Sequence, residues 1–330
     1  MRERNVNIDY LKFFAAFMVI FVHFFAYTGF YQLNIGDEFA IISFVLKQIA
    51  VICVPLFIMV TGYLMNKKEM SSKYWGGGFI YPVATYTVIS IVCVFFRKFI
   101  LCEEVDLKQL VIGIFTFTTI KYSWYVNMYI GLYLLIPFLN MIIDKIKNNK
   151  KMFLYLIILL SVFTSTPKFS GYWYFGAVLY PINYYFIGAY FSYYGINMKK
   201  YSFIFGLSGI LFIESLVANS VGLNFHVFIE NNSIFNLLKS ILFFSFIMSL
   251  RMKKNNFVEV ISKHTLSIYL ISFMIDSLIY KYFNNIFLSY KERFLNIYIV
   301  FIIFSFSVVF ALVVDFFIKV IYQGIVIRGD

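Results

Sequence analysis

The sequence predicts an all-α membrane protein, a bundle of about ten transmembrane helices, and three observations support this class. Hydrophobic residues make up 62% of the 330 positions and charged residues only 13%, a composition unlike that of soluble globular domains. The apolar residues form repeated runs of membrane length, about twenty residues each. Short basic clusters separate these runs, and the formal net charge is +12. Together these features indicate a polytopic membrane protein.

Ten apolar segments account for the predicted helices. An additional apolar piece, Val111–Thr119, is too short to span and is expected to be interfacial or re-entrant. No internal repeat or low-complexity linker interrupts the chain, so residues 1–330 are interpreted as a single transmembrane domain. The predicted segments are Tyr10–Phe30, Ile41–Met65, Phe79–Phe99, Trp124–Ile143, Met152–Thr166, Tyr172–Tyr194, Tyr201–Asn219, Ile234–Leu250, Thr265–Phe283 and Phe294–Ile321.

The distribution of lysine and arginine predicts the orientation of the bundle. With the N-terminus inside, basic residues favour the cytoplasmic side by about two to one, and every inside loop contains at least a pair of them. Both termini are therefore predicted to be cytoplasmic, in a multi-pass protein of the plasma (inner) membrane. The basic residues are scattered between apolar segments rather than gathered in one patch, so nucleic acid is not an expected partner.

The sequence lacks the common motifs of soluble enzymes. It contains no glycine-rich phosphate loop, no paired metal ligands and no GxSxG turn. The three cysteines, Cys53, Cys93 and Cys102, lack metal-type spacing. No metal site is therefore predicted.

The first apolar segment carries Asp9, Lys12 and His23 on one helical stripe, because positions 9, 12, 16, 19 and 23 advance by three and four residues. Ionisable groups inside a bilayer cost roughly 2.5 to 3.5 kcal/mol each, so the stripe is predicted to face a protein interior or a wet cavity. The structural alternatives are that Asp9 and Lys12 snorkel to the headgroups and that His23 is a buried histidine bonded to a carbonyl.

The spacing along this stripe suggests a chemistry. Lys12 and His23 are eleven residues apart, roughly 16 Å along a helix. This is about the length of an extended pantetheine arm, so a cation at the cytoplasmic end would hold the phosphates of a cofactor while the histidine meets its thioester. The candidate catalytic residues are His23 and Asp9.

The chain resembles the integral membrane acyltransferase family 3, which transfers acetyl or other acyl groups to envelope carbohydrates. The most specific feature is Lys12-x10-His23 behind Ile8-Asp9-Tyr10-Leu11, where the family more often has arginine at the basic position. Four further stretches are family-like, with Ser272 at a position where many members carry histidine. They are Pro55-Leu-Phe-Ile-Met-Val-Thr-Gly-Tyr-Leu64, Trp124-Tyr125-x3-Tyr129-x3-Tyr133-Leu-Leu-Ile-Pro137, Tyr185-Phe-Ile-Gly-Ala-Tyr190 and Thr265-Leu-Ser-Ile-Tyr-Leu-Ile-Ser272.

The resemblance implies an O-acyltransferase that uses acetyl-CoA as acyl donor and a carbohydrate or lipid-linked sugar as acceptor, with His23 as the base. The donor-binding candidates are Lys12, Lys67, Lys68, Lys73 and Thr61. The acceptor-binding candidates are Trp124, Tyr125 and Tyr269, and Thr61 and Tyr269 are also candidate oxyanion donors. Topology alone also explains the lysines, and helix packing also explains the tyrosines. Membrane lipid is an expected partner, and a homodimer is possible.

Two other functions compete with this one. A proton-coupled transporter would use His23, Asp276 and Glu214 as a relay, and a non-catalytic membrane recognition module would need none of them. Of the remaining charged residues, Asp315 and Lys319 are predicted to form a helix-face ion pair. His226 and His264 are predicted to be surface residues.

Overall fold

The computed structural model describes residues 4–34, 36–71, 74, 79–104, 107–165, 175–221 and 231–326. These described residues form helices and connecting turns, and none of them lies in a β-strand. Seven helical stretches among them are long and apolar enough to cross a membrane. They are Val6–Tyr27, Ala40–Met65, Ile80–Phe99, Val111–Ile146, Lys200–Ser220, Thr265–Ile286 and Ile299–Val320. The all-helical, multi-pass class predicted from composition is thereby confirmed.

The chain divides into two compact units. The first unit comprises Met1–Lys68 and Leu135–Ser262, and the second comprises Glu69–Leu134 and Lys263–Asp330. Neither unit is a continuous piece of sequence. Whether residues 1–330 act as one domain therefore stays a prediction.

The first unit contains helices α1 to α3, the C-terminal part of α6, and α7 to α11. Within it α3 packs against α8 and α1, α7 packs against α8, and α9 packs against α10. The helices are α1 (Val6–Tyr27), α2 (Ala40–Ala50), α3 (Cys53–Met65), α6 (Trp124–Ile146), α7 (Lys150–Ser165), α8 (Phe175–Tyr194), α9 (Lys200–Val221), α10 (Ile234–Ser249) and α11 (Asn256–Lys263).

The second unit contains α4, α5, the N-terminal part of α6 and α12 to α14. Its centre is α12, which packs against α4 and α14. The helices are α4 (Phe79–Phe99), α5 (Leu107–Thr116), α12 (Thr265–Ile286), α13 (Tyr290–Leu295) and α14 (Ile299–Val326).

Each of the ten predicted segments overlaps a helix, but the second is divided into α2 and α3 and the tenth begins in α13 and continues in α14. Residue 166 of the fifth segment and residues 172–174 of the sixth lie outside the described residues. Pro55 explains the division, because a proline ring collides with the carbonyl four residues earlier, and this carbonyl belongs to Val51 at the break. The extra apolar piece, Val111–Thr119, lies in α5 and the turn after it. The number of membrane crossings and the cytoplasmic placement of the termini stay predictions.

A second proline, Pro137, lies inside α6 without ending it. Proline has no amide hydrogen, so the carbonyl of Tyr133 loses its helical donor. The hydroxyl of Tyr74 donates to this carbonyl at 2.5 Å, and the hydroxyl of Tyr133 donates to the carbonyl of Tyr74 at 2.9 Å. This reciprocal pair of bonds allows α6 to continue through the proline.

The closest helix contact in the first unit lies between α3 and α8 and depends on two glycines. A Cβ atom on Gly62 would overlap the carbonyl oxygen of Tyr185, and one on Gly188 would overlap the carbonyl oxygen of Met59. The two backbones therefore touch, as small residues allow in membrane helix pairs. Gly62 of the Thr61-Gly62 sequence therefore has a role in helix packing.

Candidate active site

The helix that carries the predicted catalytic stripe is α1, which spans 22 residues. The stripe positions between Lys12 and His23 are buried: Ala16 is 2% exposed and Val19 is 4% exposed. Lys12 and His23 themselves are half-buried. The burial of Ala16 and Val19 agrees with the prediction that the stripe faces other parts of the protein.

Lys12 and His23 lie on the same side of this helix. Eleven residues at about 100° each bring His23 to within about 20° of Lys12 around the axis, and the two residues are about 16 Å apart along it. Because α1 is continuous between them, this spacing is a fixed property of the helix.

The register of α1 is fixed at its N-terminal start by Asn7. The side-chain amide of Asn7 donates to the carbonyls of Ile247 at 2.8 Å, Met248 at 3.1 Å and Leu250 at 2.8 Å. These carbonyls lie at the C-terminal end of α10, where a helix has no internal donors left. Asn7 therefore caps α10 and holds α1 against it.

The carboxylate of Asp9 belongs to an ion-pair network at the same end of α1. Arg4 donates to both carboxylate oxygens, at 2.7 and 2.8 Å, and the hydroxyl of Ser262 donates to one of them at 2.7 Å. The hydrogen bonds that Arg4 donates to Asp9 raise the pKa of the Arg4 guanidinium above its ordinary value. Asp9 precedes His23 by fourteen residues, about 21 Å of helix. Its described contacts stabilise the start of α1, and a catalytic role for Asp9 stays a prediction.

The predicted donor-binding residues after α3 are found at its C-terminal end. Lys67 and Lys68 are exposed, and the Lys67 ammonium lies 5.5 Å from the ring centre of Tyr193. Thr61 is 8% exposed and donates to the carbonyl of Phe57 at 2.9 Å, inside its own helix. Lys73 lies outside the described residues.

The predicted acceptor-binding residues come together in the second unit. The ring centres of Trp124 and Tyr125 are 6.2 Å apart, and those of Tyr125 and Tyr269 are 5.5 Å apart. In this aromatic cluster of Trp124, Tyr125 and Tyr269, Trp124 is 45% exposed whereas Tyr269 is 6% exposed, so Trp124 is its open member. Aromatic faces of this kind suit the apolar side of a sugar ring.

Sequence reasoning missed the residue that supports this cluster, Tyr122. Its carbonyl accepts from the hydroxyl of Tyr269 at 2.7 Å, and its own hydroxyl donates to Asp276 at 2.6 Å. Asp276, which the transporter hypothesis places in a proton relay, is thus hydrogen-bonded to a tyrosine. No sequence spacing indicates it, because Tyr122 and Asp276 are 154 positions apart.

Two sequence predictions about residues of the second unit are wrong. His264 was predicted at the surface and Asp315 was predicted to pair with Lys319. Instead, His264 hydrogen-bonds through Nδ1 to Asp315, and Ser267 donates to the other carboxylate oxygen at 2.5 Å. Asp315 is 1% exposed whereas Lys319 is exposed, so the carboxylate takes its partners from α12 and the preceding residue rather than from its own helix face.

The carboxylates of the competing transporter hypothesis each have a partner. Glu214 is fully buried and accepts from Lys239 through both oxygens, at 2.8 and 2.9 Å. Asp276 accepts from Tyr122, and it belongs to the other unit. Among the residues that the structure describes, no three His, Cys, Asp or Glu side chains are grouped as metal ligands.

The all-helical fold and the apolar, membrane-length helices define a multi-pass membrane protein, and α1 presents a lysine and a histidine on one interior stripe. Residues 5–316 match a family model described as an acyltransferase domain. The chain therefore belongs to acyltransferase family 3, and it is a membrane acyltransferase. The matched range includes residues of both units. Neither the curated proteins nor the solved structures contain a significant match to the chain.

Proposed function

We propose that the protein transfers an acetyl group from cytoplasmic acetyl-CoA to a hydroxyl of a cell-envelope carbohydrate, with His23 as general base. The observation that carries this proposal is the placement of Lys12 and His23 on one interior stripe of an anchored helix in a member of an acyltransferase family. The plasma (inner) membrane is the proposed location, since the donor is cytoplasmic and the acceptor is in the envelope.

The proposed reaction is one acyl transfer. Nε2 or Nδ1 of His23 accepts the proton of the acceptor hydroxyl as the hydroxyl oxygen attacks the thioester carbon. The carbon–sulfur bond then breaks, and the coenzyme A thiolate leaves and takes up the proton. Histidine suits this task because it both accepts and returns a proton near neutral pH.

The remaining candidate residues bind the two substrates in this proposal. Lys12 contacts a phosphate of the donor, and Lys67, Lys68 and Lys73 add positive charge on the same side. The acceptor sugar packs on the aromatic cluster of Trp124, Tyr125 and Tyr269. The hydroxyl of Tyr269 is already engaged by the carbonyl of Tyr122, and Thr61 by the carbonyl of Phe57, so each would have to exchange its partner to serve as oxyanion donor.

The role of His23 is tested by His23→Ala. We expect acetyl transfer from labelled acetyl-CoA to envelope glycans, measured by mass spectrometry of the glycans, to fall by about 10² to 10⁴ because the base is lost. Val22→Ala, at the neighbouring half-buried position, is the matched control and keeps activity. Unchanged acetate content at normal protein levels would remove the catalytic role of His23.

The role of Lys12 is tested by comparing two acyl donors. Lys12→Gln is expected to raise KM for acetyl-CoA by about tenfold, since a charge-assisted hydrogen bond to phosphate is lost, with little change in kcat. Acetyl-pantetheine has no phosphate, so its use is expected to be insensitive to Lys12→Gln. Lys12→Arg should retain acetyl-CoA use. Equal losses with both donors contradict phosphate contact by Lys12.

A further inference from the structure

A second group of buried polar residues in the first unit lies outside the proposed reaction. It is formed by α2, α9 and α10 and is called the Lys47 cluster below. All of its members are fully buried. They are Ser43, Lys47, Gln48, Glu214, Asn236 and Lys239.

The charges of this cluster do not balance. Lys239 is bound by both oxygens of Glu214 and by the side-chain oxygen of Gln48 at 2.9 Å, so these residues form a closed, neutral group. Lys47 is the second cation, which leaves two positive charges against one negative charge. Its ammonium also lies close enough to Lys239 for the two to repel each other.

The immediate surroundings of the Lys47 ammonium are aromatic. It lies 5.0 Å from the ring centre of Phe30 and 4.3 Å from that of Tyr31. Cation–π contacts stabilise a desolvated ammonium by less than the burial of its charge destabilises it. A counter-charge is therefore needed for a charged Lys47.

The polar atoms around Lys47 are mostly donors that lack a partner. Within the described part of the chain, the Lys47 ammonium, the Gln48 amide nitrogen, both polar atoms of the Asn236 side chain and the Ser43 hydroxyl make no hydrogen bond. Ser43 precedes Lys47 by one helical turn, and Asn236 precedes Lys239 by three residues, so these groups share the faces that carry the lysines. Several donors and one surplus positive charge match a monoanion with several oxygens.

The position of the ammonium indicates where this anion comes from. Phe30 and Tyr31 follow the end of α1, so the ammonium is level with the end of a candidate membrane span rather than with its middle. Tyr31, whose ring lies 4.3 Å from the ammonium, is 48% exposed, so this ring separates Lys47 from the surface. Lipid phosphate groups lie at this boundary, and a lysine binds phosphate as a point charge.

We propose that the Lys47 cluster is a binding site for one phosphodiester group at the membrane boundary. A phosphodiester carries a single negative charge and oxygens that accept from Lys47, Gln48 and Asn236. The group belongs either to a lipid headgroup or to a phosphate-linked glycan. The site does not depend on the proposed acyl transfer.

The proposal is tested on the full-length protein purified in dodecyl maltoside, which contains no phosphate. The probes are dihexanoylphosphatidylglycerol, which has acyl chains, and glycerophosphoglycerol, which is the same phosphodiester without them. We expect native mass spectrometry to show one bound phosphatidylglycerol on the wild type and a rise in thermal stability with its concentration. Lys47→Gln should weaken this binding by about tenfold, whereas the exposed control Lys199→Gln should not.

A second variant keeps the test decisive if Lys47→Gln fails to fold. Gln48→Glu retains an oxygen for Lys239 and adds a negative charge beside Lys47, so it should abolish binding with Lys47 intact. Binding of both probes identifies a water-borne phosphodiester such as that of a glycan, and binding of the acylated probe alone identifies a lipid. A wild type that binds neither probe, or variants that bind as well as the wild type, overturn the proposal.

Discussion

In the part of the chain that the structure describes, the buried carboxylates are hydrogen-bonded to nearby side chains. Asp9 has Arg4 and Ser262, Glu214 has Lys239, and Asp315 has His264 and Ser267. This pairing follows from the cost of an isolated charge in a low-dielectric interior.

Asp315→Asn tests one of these buried groups, in the second unit. The amide keeps the size of the carboxylate but removes its charge and one acceptor oxygen, so the hydrogen bonds with His264 and Ser267 are weakened. We expect a loss of about 1 to 3 kcal/mol, measured as a lower unfolding temperature in detergent. Lys319→Gln is the matched control and should be neutral, because Lys319 is exposed. A comparable loss of stability in Lys319→Gln would support the ion pair between Asp315 and Lys319 that the sequence predicted.

Residue-level predictions from the sequence succeeded where the relation was local. The shared stripe of Lys12 and His23 follows from helical spacing, and the burial of Ala16 and Val19 between them agrees with an interior face. The partners of Asp9, Asp276 and Asp315 were not predictable in this way. Ser262 and Asp9 are 253 positions apart, and His264 and Asp315 are 51 apart. Such pairs form when helices that are distant in sequence pack against each other. Hydrophobic periodicity along the sequence does not predict which helices these are.

At the scale of the helix, the close approach of α3 and α8 predicts a large effect of very small substitutions. Gly62→Ala or Gly188→Ala places a methyl group on the backbone of the facing helix, which cannot move aside as a side chain does. We expect the helices to separate, with a loss of about 1 to 3 kcal/mol or more in unfolding free energy. The measurement is the unfolding temperature of the purified protein.

Gly131→Ala is the control for this prediction. Gly131 also lies in a membrane-length helix, but an added Cβ there meets no atom within 4 Å. Alanine is the better helix former, so this variant should be neutral or more stable by up to about 1 kcal/mol. If all three alanine variants behave alike, the glycines of α3 and α8 are not at a close contact.

Helix positions were predictable because an apolar run of membrane length has few alternatives to a helix. The division of the second segment also had a local signal in Pro55, since a proline excludes the bond to Val51. The continuation of α6 through Pro137 had no such signal. It depends on a hydroxyl from Tyr74, 59 positions away, that replaces the missing donor.

At the scale of the whole molecule, orientation in the membrane is predicted by the loops rather than by helix packing. The basic residues favour one side, which predicts that both termini and the lysines after α3 are cytoplasmic, on the side of the proposed donor acetyl-CoA. The reversed orientation would put Lys12 on the external side of the membrane, away from cytoplasmic acetyl-CoA. Orientation therefore decides whether the proposed reaction is possible.

Cys102, a native cysteine, provides a direct test of orientation in the membrane. It is exposed in the loop after α4, on the side predicted to be external, whereas Cys53 and Cys93 are buried. A membrane-impermeant maleimide applied to intact spheroplasts is expected to label the protein, and Cys102→Ser should remove the label. Lys199→Cys in the Cys102→Ser background, on the predicted cytoplasmic side, should react only after permeabilisation. The opposite pattern would invert the bundle, and Lys12 would then lie on the side away from the cytoplasmic donor.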